Sequence, residues 1–287
     1  MKKLRVSVCI PCYNAERFIE KSVRSVLCQS YTNFVLHIID NASTDNTLDI
    51  VSHIKDSRIR IHKNTRNIGM FNNMNRCLSI ATSPYVKILC ADDLLQADCL
   101  KKQVEVLNRY PEVGLVYGAS AIVNANGKPV FTRRFFSRDT RIAGKDLVRR
   151  MVAHGRNFIG EPTTVMIRNS FVRKRKLRYN PQYVHMGDID FWIQILLNSD
   201  GYYLARVLSS FRVHSASSTV SVLRKIFPDY QRLFSTYKNR LEMPRGAAWL
   251  GTLLVGVFFV FKSIFLFVVK WTENEKEIDK SVRRRDV

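Results

Sequence analysis

The chain has 287 residues, room for one large α/β domain or a core domain with an appendage. Its hydrophobic content of 46% is that of an ordinary globular protein, but 46 Lys and Arg against 24 Asp and Glu leave a net charge of +22. That balance suits an anionic partner: nucleic acid, acidic lipid headgroups or a phosphorylated substrate. Arg133 to Asn180 holds fourteen Lys or Arg and three Asp or Glu, so one sixth of the chain carries half of the excess, and Arg283 to Arg285 adds a second basic group. All six cysteines lie between Cys9 and Cys99. Cys9 and Cys12 have C-x-x-C spacing, but no second pair or nearby His completes a zinc set, so packing is their expected role. The start, MKKLRVSVCIPCYN, is basic, but Pro11, Tyr13 and Asn14 end its apolar run too soon for a signal peptide. The expectation is a cytoplasmic chain with free thiols.

Strand and helix signals alternate from the start. Val6 to Ile10 is a short apolar run ended by Pro11, and Ala15 to Cys28 has helical spacing through Phe18, Ile19, Val23, Val26 and Leu27. Phe34 to Ile39 reads as a strand, Asp45 to Ile54 as a helix with Ser43 or Asp45 at its N-cap, and Arg58 to His62 as a third strand. Gly69 to Ala81 is helical. Tyr85 to Leu89 is a fourth strand that runs into Asp92 and Asp93, followed by a helix at Ala97 to Arg109 and a strand at Val113 to Tyr117. Repeated β-α-β units with apolar strands predict a mostly parallel sheet covered on both faces. Beyond it, Ala121 to Phe131 reads as a hairpin turning at Asn126-Gly127, Lys145 to Val152 as a helix and Pro162 to Ile167 as a strand. Asp188 to Leu197 is helical, Tyr202 to Val207 and Ser210 to Val213 are strand-like, and Val220 to Leu241 is amphipathic and basic. Gly246 to Val269 is the most apolar stretch. As a helix it would reach roughly 36 Å, enough to cross a bilayer core, although Lys262 inside it favours a tilted, re-entrant or in-plane segment as the alternative.

Ligands of an open parallel sheet bind beyond the carboxyl ends of its strands. Three polar clusters fall there: Pro11-Cys12-Tyr13-Asn14, Asp40-Asn41-Ala42-Ser43-Thr44-Asp45 and Ala91-Asp92-Asp93. Each alone is an Asx-rich turn or a helix cap. Three together suggest one crevice for a nucleotide diphosphate. A carboxylate such as Asp40 can accept from a base N–H or sugar hydroxyls, Tyr13 offers a stacking face, and two adjacent acids call for a cation. Mg2+ takes one or two protein carboxylates and completes its shell with phosphate oxygens and water.

The runs VSVCIPCYNAE, IIDNASTDNT, NTRNIG and ILCADDLL, in that order, resemble the family 2 glycosyltransferases of the bacterial surface-polysaccharide type. The resemblance continues more weakly through HMGDIDFWIQIL and FRVHSASST, to about residue 219. It implies a GT-A-like domain over 1–219, with a nucleotide-sugar-binding half (1–118) and an acceptor half (119–219). A basic connector (220–245), an apolar membrane-associated helix (246–271) and a charged tail (272–287) would follow. It also implies roles. Pro11, Tyr13, Asn14, Asp40, Arg66, Asn67 and Asp92 would hold the donor. Asp93 and His214 would hold Mn2+ or Mg2+, with Cys90 standing where the family's acidic motif has its first Asp. Asp188 would be the catalytic base, with Asp190 as fallback and Gly187 where the family has a Glu.

The expected function is inverting transfer from a nucleotide-diphosphate sugar to an acceptor hydroxyl, a lipid-linked saccharide, at the cytoplasmic face of the cell membrane. Two other readings remain. A sugar-phosphate nucleotidyltransferase needs a glycine- and basic-rich loop near the start, which CIPCYNAE is not. A nucleic-acid-binding protein rests on charge alone, without a helix-turn-helix, zinc or aromatic RNA-binding signature.

Overall fold

The structure, a computed structural model, describes residues 6–184, 186–214, 226–244, 246–247 and 249–261. The first elements follow the expected alternation: β1 (Val6–Cys12), α1 (Ile19–Leu27), β2 (Phe34–Asp40), α2 (Thr47–His53), β3 (Ile59–Lys63), α3 (Met70–Ile80) and β4 (Tyr85–Ile88). Then come β5 (Leu94–Leu95), α4 (Cys99–Arg109), β6 (Val113–Val123), β7 (Pro129–Arg133), β8 (Thr140–Ile142) and α5 (Gly144–His154). A 3-10 turn (Pro162–Thr164), β9 (Met166–Arg168), α6 (Asn169–Arg175), α7 (Gly187–Leu196), β10 (Asp200–Arg212) and α8 (Ile226–Tyr237) follow, and a last helix, α9, covers 249–261.

One sheet runs through all of this, in the order β3-β2-β1-β4-β9-β6-β10-β5, with β7 beside β6 and β8 beside β10. Its first four strands are parallel, as the repeated β-α-β order predicts. β6 and β10 also run parallel to one another, so the long strands agree with the expected mostly parallel sheet, and the antiparallel members are short. β9 returns between β4 and β6 and runs antiparallel to both, and β5, β7 and β8 are antiparallel edges. The expected strand from Pro162 opens instead as a 3-10 turn, because Pro162 has no N–H to give a ladder. Tyr202–Val207 and Ser210–Val213 belong to one bulged strand, β10. The hairpin at Gly127 (φ +83°) is as expected.

Strand side chains alternate between two cores. Val6, Val8 and Ile10 of β1 pack with α1 and α4 on one face, while Cys9 joins α3, α5 and α7 on the other. α9 lies on α8 and the end of α5. Its Gly251 passes so close to Tyr230 and to the Ala153 carbonyl that a Cβ there would clash, and Val255 is buried beside it. The other side of α9 is open: Trp249, Leu253, Val257 and Phe261, four residues apart on one stripe, are 73%, 51%, 47% and 69% exposed. No helix among the described residues is long and apolar enough to cross a membrane. The remainder of the expected apolar helix, 262–271 with Lys262, lies outside the described residues, as do residues 215–225 and the tail 272–287.

The basic stretch is not one surface. Arg133 turns inward to Glu161, Arg168 donates to the carbonyls of Leu107, Tyr110 and Val113, and Arg141 pairs with Glu112 and Asp200. Arg173, Lys174, Arg175 and Lys176, at the end of α6, stay exposed.

Candidate functional site

β1 and β2 are in parallel register with Cys12 opposite Asp40 and Pro11 opposite Ile39, so their carboxyl ends open side by side. Beyond them two loops lock together. Asn14 N donates to Ser43 Oγ (3.0 Å), and Thr44 N donates to Asn14 Oδ1 (2.9 Å). Asn14 and Ala42 have φ of 48° and 62°; for Ala42 this conformation costs on the order of 1 kcal/mol and is held by its neighbours. Asp40 is buried, with Ser43 N donating to its Oδ2 at 3.1 Å. Burial and the adjacent Asp40 push the Cys12 thiol well up. Tyr13 is 47% exposed, which leaves its ring face free for stacking. Asn67 Oδ1 accepts from Asn41 Nδ2 (2.7 Å) and Gly69 N (2.9 Å) and so shapes its own loop. Arg66 beside it is exposed and makes no bond among the described residues.

The two acids after β4 face different ways. Ser22 Oγ of α1 donates to the carbonyls of Ala91 (2.7 Å) and Asp93 (2.6 Å), fixing the loop. Asp93 is fully buried and both its oxygens are taken: Thr163 Oγ1 donates to Oδ2 at 2.5 Å and Arg212 N to Oδ1 at 2.9 Å. Burial and the charge of Asp92 push its carboxyl well above the usual range. Asp92 is 29% exposed and meets His214, with Oδ2 and Nε2 3.0 Å apart. Arg212 supports the loop from beneath, donating from Nε to the Asp92 carbonyl (2.8 Å), and the Phe18 ring packs against both Arg212 and His214. Both oxygens of Asp93, the expected metal ligand, accept a hydrogen bond from the protein, and Asp92, beside the buried His214, is the more exposed of the two acids. No group of three or more His, Cys, Asp or Glu gathers among the described residues. A carboxylate and an imidazole converging at a partly open position fit a divalent cation whose other ligands are phosphate oxygens and water.

A cavity of about 440 Å³ adjoins this loop. Its lining includes Cys90, Asp188, Glu161 and Arg133, together with Phe258 and Phe261 of α9. Asp188 stands in the first turn of α7 with Oδ1 buried and without a partner. Burial, then the charge of Glu161, push its carboxyl up to about 7. Asp190, the fallback, is spent elsewhere: Tyr237 Oη donates to Oδ1 and Gln194 Nε2 to Oδ2, both at 2.7 Å, which ties α7 to α8. At Gly187, where the family has a Glu, a Cβ would meet the Phe71 ring, with a carbon 2.2 Å from that position.

The sequence profile of glycosyl transferase family 2 matches residues 7–177, more than half of the chain. The chain belongs to glycosyl transferase family 2. Its relatives include an uncharacterized protein of Mycobacterium tuberculosis, 30% identical over 85% of this chain and 75% of that one. Another is WfgD of Escherichia coli, a UDP-Glc:alpha-D-GlcNAc-diphosphoundecaprenol beta-1,3-glucosyltransferase, 26% identical over 82% of this chain and 88% of WfgD. The fold is similar to that of residues 1–349 of S. aureus TarS, solved in complex with UDP-GlcNAc. The TM-score is 0.65 at 18% identity, covering 82% of this chain and 72% of TarS.

Several residues of this glycosyltransferase's site escape sequence reasoning. Thr163 bridges the two sides, accepting from Cys90 N (3.2 Å) while donating to Asp93. Glu161 also stands apart from any motif, and Arg212 lies inside FRVHSASST, where the resemblance gives it no role. The signals were slight: a charge inside the strand-like Ser210 to Val213, and Thr163-Thr164 inside the expected strand from Pro162, with Glu161 just before it.

Proposed function

We propose that this glycosyltransferase transfers a sugar, with inversion, from a nucleoside-diphosphate donor lying across the ends of β1, β2 and β4 to an acceptor hydroxyl in the cavity at Asp188. The observation that carries the reading is the Asp188 carboxylate: one oxygen is buried without a partner, it faces the cavity beside Cys90, and its proton affinity is raised to about 7. A general base works best when its pKa is near the operating pH. Asp188 takes the acceptor proton as the acceptor oxygen attacks the anomeric carbon and the bond to the diphosphate breaks. Tyr13, Asn14, Asp40, Arg66 and Asn67 line the nucleoside side. Asp92 and His214 would hold Mn2+ or Mg2+, which when bound offsets the charge building on the leaving diphosphate. Asp93 orders the loop through Thr163 and Arg212. The UDP-GlcNAc complex of TarS and the UDP-Glc in the name of WfgD favour a uridine diphosphate sugar.

The acceptor we propose is a lipid-linked saccharide, met at the cytoplasmic face of the cell membrane. In support, Phe258 and Phe261 of α9 line the cavity, and Phe261 also belongs to the open apolar stripe of that helix. The diphosphoundecaprenol acceptor in the name of WfgD is of this class. Calorimetric titration of UDP in the presence of Mn2+ separates the roles. D92N is expected to lose at least tenfold in affinity and D188N to bind as the native chain does; equal binding by all three would contradict the assignment.

A further inference from the structure

Beside Asp188 the cavity holds a second carboxylate that the reaction above does not use. Glu161 precedes the 3-10 turn and lines the same cavity as Asp188. Arg133, at the end of β7, closes on it with both terminal guanidinium nitrogens and also donates to Ser120 Oγ at 2.8 Å. The segment carrying Glu161 is fixed on every side. Trp192 Nε1 of α7 donates to the Gly160 carbonyl (3.2 Å), and Asn157 Oδ1 accepts from the N–H groups of Ile159 and Gly160 (2.9 Å each). Thr163 joins it to Cys90 and Asp93. Glu161 thus has a set position relative both to α7, which carries Asp188, and to the acidic loop. A Cβ at Gly187 would meet the Phe71 ring, and a carboxylate from another element, Glu161, lines the cavity together with Asp188.

We propose that Glu161, oriented by Arg133, is a positioning residue for Asp188: its negative charge across the cavity keeps Asp188 basic enough to take the acceptor proton. This rests on Asp188 being the base. Among the described residues, the titratable and charged groups facing Asp188 are Glu161, with Arg133 behind it, Cys90 on the loop after β4 and Tyr179 before α7. Cys90 and Tyr179 are held neutral by burial, which leaves the Arg133–Glu161 pair as the adjustable charge. Arg156 is the cavity's other cation.

The test needs no substrate. Thermal stability of the native full-length chain and of D188N is compared across pH. A carboxyl raised in the folded state destabilises the fold progressively above the unfolded value of about 4 and stops doing so at its folded value. The pH at which the advantage of D188N levels off therefore reads Asp188 in the folded chain. It should lie near 7 in the native background. It should fall by about one unit or more in E161Q and rise in R133M. The double variant R133M/E161Q leaves no lone buried charge, covers the case of a single variant that does not fold, and should also level off lower. An unchanged levelling pH in E161Q, or in the double variant, would overturn the proposal. The acid limb of kcat/KM for hydrolysis of a nucleotide sugar should move in the same direction. A stability shift without that movement would leave the coupling of Glu161 to Asp188 standing and remove Asp188 as the base.

Discussion

Asp92 and Asp93 are adjacent and chemically identical, and the fold gives them unlike work. Asp93 receives a hydroxyl 70 residues away and an N–H 119 residues away, so it fastens the acidic loop to the cavity wall and to β10. Asp93→Ala should cost about 2–4 kcal/mol, since one buried N–H and one hydroxyl lose their acceptor. Asp92→Ala should leave the melting temperature nearly unchanged and abolish metal-dependent donor binding. Differential scanning calorimetry beside donor titration distinguishes the two. Asp188 makes a contrary pair of predictions. Asp188→Asn should lower turnover by roughly 10²–10⁴-fold. The same change should raise the melting temperature by about 2–6 °C above pH 7, because burying the charged carboxylate destabilises the native fold there and the amide carries no charge. For the native enzyme the acid limb of kcat/KM should fall near pH 7, with activity lost below it as Asp188 is protonated.

Among the elements, α7 carries the most consequence, since it presents Asp188 at one end and is clasped to α8 through Asp190 and Tyr237. Tyr237→Phe should cost about 1–3 kcal/mol by leaving a buried carboxylate oxygen without a donor, a loss visible in urea unfolding. The penalty should grow as pH rises through the carboxylate range, because the hydroxyl lowers the proton affinity of Asp190 against the effect of its burial. Elements of this kind were readable in the sequence where one local cause dominates. β1, β2 and β4 are short, largely apolar runs, and α3, α4 and α7 have helical spacing. The two-residue β5 and three-residue β8 carry too little pattern, and only their partner β10 makes them strands. The direction of β9 was likewise illegible, because it depends on where the chain returns to the sheet rather than on Met166–Arg168 themselves. The site divides in the same way. Its motifs mark which loops matter, but whether Asp92 or Asp93 points outward depends on Thr163 and Arg212, far away in sequence.

At the scale of the whole molecule, the proposed donor site lies at the ends of β1, β2 and β4, and the acidic loop after β4 adjoins the cavity. The positive charge is divided between inward braces such as Arg133 and Arg168 and the open group at the end of α6. If the open stripe of α9 meets a lipid surface, Leu253→Asp with Val257→Asp should reduce co-sedimentation with anionic liposomes several-fold. Both side chains are about half exposed, so stability should hardly change. The central claim is that Asp92 serves the donor and Asp188 the acceptor in one glycosyl transfer. The most direct measurement is transfer of labelled sugar from a panel of uridine diphosphate sugars, with Mn2+ present, to a bacterial membrane lipid extract by the native chain, D92N and D188N. The account predicts labelled lipid with at least one donor for the native chain and a loss of a hundredfold or more in both variants. Undiminished transfer by either variant, or no transfer from any donor by the folded native chain, would contradict it.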